Sequence, residues 1–305
     1  MSNILVTGSS GTIGTRLCER LLSQGQTVIG IDKVPNKWNK DVQDITIVKN
    51  LNDNSCFNNL PEDIFCIIHL AANARVYNSV VNPDIAKENI DITYNILEFC
   101  RKNSIKNFLF ASSRETYGNK DMGIISEKEI DIANCESPYS ASKIAGESFV
   151  NSYQKCYDMN CINCRFSNVY GMYDDTDRLI PLFISLAKQD DDIIIFGEEK
   201  CLDFTYIDDA VNGVIKLVNH FPNSGTFNIS KGEGVYLSYI VNLIKEEIDS
   251  SSKVVIKENR EGEILNYVGD ISLAKNLLNF SPQVSIVEGV RKSVQWYKNG
   301  LENKQ

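Results

Sequence analysis

Thr7-Gly8-Ser9-Ser10-Gly11-Thr12-Ile13-Gly14 follows the apolar run that begins at Ile4 and leads into an amphipathic stretch that ends near Leu22. A strand, a glycine-rich turn and a helix in that order form a phosphate-binding unit. Gly8 permits the tight turn, Gly11 lets a pyrophosphate approach the backbone, and Gly14 lets the helix pack close to the strand. The N-terminus of the helix, with Thr12 and Ile13, then offers free N–H groups and a partial positive charge to phosphate. Asp32 closes the next apolar run, Val28-Ile29-Gly30-Ile31, 18 residues after Gly14. A carboxylate there can accept both hydroxyls of an adenosine ribose and repels a 2′-phosphate, so NAD is favoured over NADP. Asn50 and Leu51 follow the third strand and are expected to border the adenine.

Outward from this turn, apolar runs alternate with helical patterns. Thr27–Ile31, Ile45–Val48, Ile64–Leu70, Phe108–Ala111 and Cys161–Phe166 read as strands, and Ile85–Cys100 and Tyr139–Tyr157 as long helices. Continuously apolar strands between helices predict a parallel sheet covered on both faces. After Phe166 the pattern is mixed. A loop is expected at Met172–Asp177, helices at Leu179–Lys188, near Asp208, at Ser238–Ile248 and at Val287–Tyr297, and strands at Ile193–Phe196 and Val254–Lys257. The fold expected is α/β: a Rossmann-type doubly wound parallel sheet with a smaller mixed C-terminal substrate lobe. Residues 1–166 form the NAD-binding part, with 201–225 returning to it, and 167–305 form mainly the substrate lobe.

The 305 residues are 43% hydrophobic, enough for a full core, and carry a formal charge of −9. That charge argues against non-specific binding to nucleic acid or membrane surfaces. No basic start with an apolar run marks a signal peptide, and no stretch approaches membrane-spanning length, so a cytoplasmic location is expected. The 9 cysteines are scattered and odd in number, which fits reduced, mostly buried thiols. Cys161 and Cys164 form a CxxC, but neither His69 nor His220 completes a zinc set, and the segment reads as a strand; no metal is expected.

Tyr139-Ser140-Ala141-Ser142-Lys143 sets a phenol and an ammonium four residues apart, on one helical face. A phenol with a reference pKa of ~10 is a poor base at neutral pH. A neighbouring ammonium is expected to lower that pKa, and the same Lys143 can hold the nicotinamide ribose. Ser113 follows the strand Phe108–Ala111, at the carboxyl edge where parallel sheets bind ligands. Its hydroxyl can share the proton moving between substrate and Tyr139.

With these pieces in place the chain resembles the extended short-chain dehydrogenase/reductases of the sugar-nucleotide epimerase/dehydratase group, near the UDP-galactose 4-epimerase pattern. The likeness runs from Ile4 to beyond Asp270. It rests on TGSSGTIG at Thr7–Gly14, HLAA at His69–Ala72, Asn89 before Thr93, ASSRETYG at Ala111–Gly118, YSASK at Tyr139–Lys143, RFSNVYG at Arg165–Gly171, DFTYIDDA at Asp203–Ala210 and REGE at Arg260–Glu263. The resemblance implies an NAD-dependent enzyme acting on a nucleotide-diphosphate sugar. Tyr139 would be the base, Ser113 its partner and Lys143 the cofactor anchor, with Ala71, Ala72 and Asn89 also beside the cofactor. Asn168 would bind the substrate diphosphate, Arg178 and Leu179 would belong to the nucleobase loop, and Arg260 would grip phosphate or ribose. A homodimer is implied, pairing the two long helices of each subunit.

Two departures from the pattern leave the chemistry open. Leu202 stands where relatives carry an arginine before the Asp-Phe pair, so Arg260 bears more of the phosphate binding or Lys200 helps. Arg114 and Glu115 stand where plain epimerases carry small neutral residues. Dehydratases and decarboxylases of the group carry Glu at position 115 as an acid or base at sugar C5, but many dehydratases pair it with Asp at position 114. Glu115 is either that group or an ion-pair partner of a neighbouring cation. The expected activity is therefore a 4-epimerase working through a transient 4-keto sugar. The alternatives are a 4,6-dehydratase, a UDP-glucuronate-type decarboxylase, a 4-keto-sugar reductase and a non-catalytic NAD-binding regulator.

Overall fold

The computed structural model describes residues 3–120, 123–174 and 178–302. Of the loop expected at Met172–Asp177, residues 175–177 lie outside that set. Seven strands, Asn3–Thr7, Val28–Asp32, Thr46–Val48, Ile64–His69, Asn107–Ser113, Asn160–Phe166 and Gly225–Ile229, form one sheet in which every pairing is parallel. Counted along the chain, their spatial order is 3-2-1-4-5-6-7. The order reverses between Asn3–Thr7 and Ile64–His69, and ligands bind outside the carboxyl ends of the strands at such a reversal. This is the doubly wound α/β fold expected from the alternation of strand and helix patterns.

The sheet is buried on both faces because successive side chains point to opposite sides. Ile4 and Val6 enter one core with Leu17, Cys18 and Leu21 of the helix Thr12–Ser23. Leu5 enters a second core with Ile96 and Leu97 of the helix Asp84–Lys102 and Val150 of the helix Pro138–Tyr157. The strand Asn107–Ser113, next to the middle strand Ile64–His69, is buried along its whole length.

A smaller mixed sheet lies beyond. Cys201–Tyr206 pairs antiparallel with Gly234–Tyr236 and parallel with Asn168–Tyr170 and Asn266–Gly269, and the last of these pairs with Ile124–Ile125. Cys201–Tyr206 thus belongs to this second sheet. The chain returns to the large sheet through the helix Ile207–Val218, which packs on Thr12–Ser23, and the edge strand Gly225–Ile229. Ile193–Phe196 and Val254–Lys257 make a separate parallel pair. Among the described residues no helix is long and apolar enough to cross a membrane.

Candidate active site

The glycine-rich turn is built as its sequence requires. Gly8 has φ +77, and a Cβ there would meet the Ala71 nitrogen at 2.7 Å. A Cβ on Gly14 would lie 2.0 Å from the Gly8 carbonyl oxygen, so only glycine lets the helix rise this close to the strand. Gly11 is the N-cap of that helix and supplies no side-chain cap. The first-turn N–H groups are thus left for an anion. Asp32 ends its strand beside the turn: its Oδ2 accepts from the Ser10 N–H at 2.9 Å and its Oδ1 from the Val34 N–H at 3.1 Å. A cradle that any Cβ would fill, an uncapped helix start and a fixed carboxylate together fit NAD.

The helix Pro138–Tyr157 starts sharply. Ser137 caps it by accepting from the Ser140 N–H, and Pro138 occupies the first turn, where a missing N–H costs nothing. Gly146 lets it lie against Phe110, whose ring would be 2.4 Å from a Cβ at that position. The close approach sets Tyr139 and Lys143 over the end of the strand Asn107–Ser113. After that strand the chain makes a single buried turn, Arg114–Tyr117, capped by the Ser113 hydroxyl, which accepts from the Glu115 N–H at 3.2 Å.

One cavity of about 630 Å³ runs from the glycine-rich turn to the second lobe. It is lined by Gly8, Gly11, Thr12, Ile13, Gly14, Asp32, Asn50, Leu51, Ala71 and Ala72 at one end. Ser113, Glu115, Tyr139 and Lys143 stand at its middle, and Asn168, Arg178, Leu179 and Arg260 toward the other lobe. Gly8 and Arg260, 252 positions apart in the chain, thus share one space. Asn89 is not among the lining residues. It sits beneath, accepting from the Asn73 N–H at 2.7 Å and donating to the Asn73 carbonyl at 3.2 Å and to Ser142 Oγ at 3.3 Å. It shapes the wall by pinning Asn73, which lines the cavity.

Electrostatics at the centre follow from burial. Lys143 is held down to about 8 by desolvation, against the pull of Glu147, and its Nζ donates to the Ala111 carbonyl at 2.7 Å. Tyr139 is pushed up to about 12 by desolvation and next by the Glu115 charge, while the Ser113 hydroxyl, Arg178 and Arg114 pull it down. This reverses the lowering expected from Lys143. The ammonium lies 5.8 Å from the phenol ring and is turned to a backbone carbonyl, so burial dominates. Glu115 lies buried beside the cavity, 2.9 Å from Arg114, and burial raises its pKa against that cation.

At the far end Arg260 stacks on Phe196, 3.8 Å from its centroid, and approaches Tyr77 of the first lobe at 5.3 Å. Lys200 pairs with Glu263 at 2.8 Å, and Leu202 lines the cavity without a charge. Asn168 is already engaged: its Nδ2 donates to the Asp203 carbonyl at 3.0 Å and its Oδ1 accepts from Arg114 at 3.2 Å.

Several supporting roles were not read from the sequence. His69 is buried between Thr7 Oγ1 at 2.7 Å and Thr93 Oγ1 at 3.3 Å, tying two strands to a helix. Arg165 bonds both oxygens of Glu147, at 2.8 and 2.6 Å, and the Tyr117 hydroxyl at 3.0 Å; Glu147 also accepts from Ser112. This network locks the strand end to the helix carrying Tyr139 and Lys143. Glu147 stands four residues after Lys143, a spacing from which it could have been found.

A doubly wound sheet with a glycine-rich turn, a strand-end serine and a Tyr-x-x-x-Lys helix defines a short-chain dehydrogenase/reductase of the extended type. The chain belongs to the NAD dependent epimerase/dehydratase family, whose sequence profile it matches over residues 4–230. It is therefore an NAD-dependent enzyme. A putative UDP-glucose 4-epimerase of Methanocaldococcus jannaschii is 31% identical, covering 97% of this chain and 98% of the relative. The crystal structure of UDP-glucose 4-epimerase with UDP-glucose from Thermotoga maritima superposes with a TM-score of 0.88 at 28% identity, covering 98% of this chain and 99% of that one. The UDP-glucuronic acid 4-epimerase of Bacillus cereus, in complex with UDP-glucuronic acid and NAD, gives 0.89 at 28% identity, covering 97% and 99%.

Proposed function

We propose that this enzyme inverts C4 of a UDP-linked sugar through a transient 4-keto intermediate. The observation that carries this reading is the meeting of Ser113, Tyr139 and Lys143 at the carboxyl end of the strand Asn107–Ser113, in the cavity that also holds the glycine-rich turn. Bound NAD would supply hydride acceptance and return at C4. Tyr139 draws the proton from the 4-hydroxyl and gives it back, and Ser113 shares that proton. Lys143 holds the cofactor ribose. Gly8, Gly11, Thr12, Ile13, Gly14, Asp32, Asn50, Leu51, Ala71 and Ala72 cradle the dinucleotide. Asn168, Arg178, Leu179 and Arg260 hold the nucleoside diphosphate while the sugar turns; Arg260 carries more of this task because Leu202 offers no cation. The first lobe binds cofactor and the second binds substrate.

A second reading, dehydration or decarboxylation, draws support from Glu115, a buried carboxyl beside the cavity with a raised pKa. Its ion pair with Arg114 favours the first reading, since the neighbouring cation stabilises the ionised carboxylate and so weakens it as a base at C5.

Product analysis separates the two. Incubation with UDP-sugars in deuterated water should give a product of unchanged carbon skeleton and no deuterium at C5. Loss of water with deuterium at C5 would overturn epimerisation in favour of dehydration, and loss of carbon dioxide would favour decarboxylation. Tyr139→Phe should lower turnover by about 10²–10⁴-fold with NAD still bound. Near-normal turnover would remove Tyr139 from the mechanism. The nine cysteines are free thiols, most of them buried, which fits the cytosol, the location we propose, and we place the working form as a homodimer.

A further inference from the structure

The turn Arg114–Tyr117 brings two opposite charges to the wall beside the reacting hydroxyl. Arg114 Nη2 lies 2.9 Å from Glu115 Oε1 and 3.2 Å from Asn168 Oδ1. Arg114 Nη1 and Glu115 Oε2 are buried and have no hydrogen-bond partner among the described residues. A cationic donor and a carboxylate acceptor thus stand side by side, both unsatisfied, on side chains that line the cavity. Leaving such groups unpaired is costly, so a ligand that pairs both is favoured. With both side chains turned toward the cavity, a hydroxyl would do so with one atom, accepting from Nη1 and donating to Oε2. The terminal torsion of a glutamate is soft, which leaves Oε2 able to turn toward the cavity.

The surrounding charge decides what kind of ligand fits. The groups that act electrostatically on Glu115 are the cations Arg114 and Lys200 and the carboxylates Glu263 and Glu136. Lys200 is already paired with Glu263 at 2.8 Å. Arg114 is paired with Glu115, Lys200 and Arg260 with Glu263, and Arg178 with Asp174, so each of these cations already faces a carboxylate rather than standing open to an anionic sugar.

We infer that Arg114 and Glu115 select a neutral sugar: a hydroxyl on the arm next to the reacting carbon is bound by the pair, and a carboxylate in that place is rejected. This rests on the nucleotide-sugar reading above and narrows its substrate class.

The test compares matched pairs that differ only by oxidation of the hydroxymethyl group: UDP-glucose with UDP-glucuronate, and UDP-N-acetylglucosamine with its uronate. Each is measured by calorimetric affinity and by kcat/KM in the NAD-loaded enzyme. The neutral member should lead by at least ~100-fold in kcat/KM within the pair the enzyme turns over, with an affinity gap in the same direction. Glu115→Gln should narrow that ratio at least ~10-fold, chiefly by improving binding of the uronate. Because a lone change leaves Arg114 unpaired, the double variant Arg114→Leu/Glu115→Leu serves as the second test. Removing both charges should bring the two members of a pair near equal affinity. Preference for the uronate by the native enzyme, or an unchanged ratio in both variants, would overturn this inference while leaving the epimerase reading standing. Binding of neither member of either pair would overturn both.

Discussion

The ammonium of Lys143 donates to the carbonyl oxygen of Ala111 across 2.7 Å, on the strand that ends two residues later at Ser113. The bond ties the Tyr139 helix to the catalytic strand and draws the cation away from the phenol. Burial then governs Tyr139, which is pushed up to about 12. A raised phenol pKa means a neutral phenol until strongly alkaline pH. The difference in phenolate absorbance between the native enzyme and Tyr139→Phe should therefore stay flat between about pH 9 and 11 in cofactor-free protein. Adding NAD brings a cationic ring to the site and should shift that titration downward. A Tyr139 that titrates near 10 or below without cofactor would refute this account.

Asp32 is held by two backbone N–H groups, so its carboxylate cannot easily swing away from an adenosine ribose. NAD should bind roughly ten-fold or more tightly than NADP, equivalent to about 1.4 kcal/mol. Asp32→Ser should shrink that preference, measured by calorimetry on cofactor-free protein. Equal affinities in the native enzyme would remove Asp32 as the discriminator.

His69 is fully enclosed and its pKa falls to about 3, through desolvation first and then the Lys143 charge, from an ordinary 6.5. The folded state thus keeps His69 neutral where the unfolded chain takes up a proton. Its contribution to stability is complete above the unfolded value and is lost as pH falls from about 6.5 toward 3, at up to about 1.4 kcal/mol per pH unit. Urea unfolding between those limits should show a shallower pH dependence in His69→Gln, even though the variant is less stable at neutral pH. Parallel curves for the two proteins would count against it.

The helices Asp84–Lys102 and Pro138–Tyr157 pack side by side and leave Tyr94 and Tyr157 nearly half exposed on their outer face. Burying such a face between two subunits fits a dimer of the kind that pairs two helices per chain. Light scattering should give twice the chain mass for the native enzyme and a monomer for Tyr94→Lys. A native monomer would remove the dimer from the proposal.

Legibility from sequence followed the range of the interactions. The glycine-rich turn, Asp32 and the Tyr139–Lys143 spacing were readable because each depends on a few consecutive residues and on backbone geometry that those residues dictate. The sheet was readable because continuous apolar strands between helices admit few other arrangements. What a buried side chain faces is set by segments far apart in the chain. Nothing near Asn89 says that it lies beneath the cavity wall holding Asn73, or that Lys143 meets a carbonyl of another strand. From sequence, Glu115 was equally an acid at C5 and an ion-pair partner; the packed turn Arg114–Tyr117 put it beside both the cavity and Arg114. The sequence by itself determined the fold and the cofactor class, and it singled out Ser113, Tyr139 and Lys143, for which we propose the catalytic roles. The tertiary structure alone decided that burial raises the pKa of Tyr139 and lowers that of Lys143, and which cation Glu115 meets, because desolvation and charge pairing arise only when distant segments close around a group and exclude water.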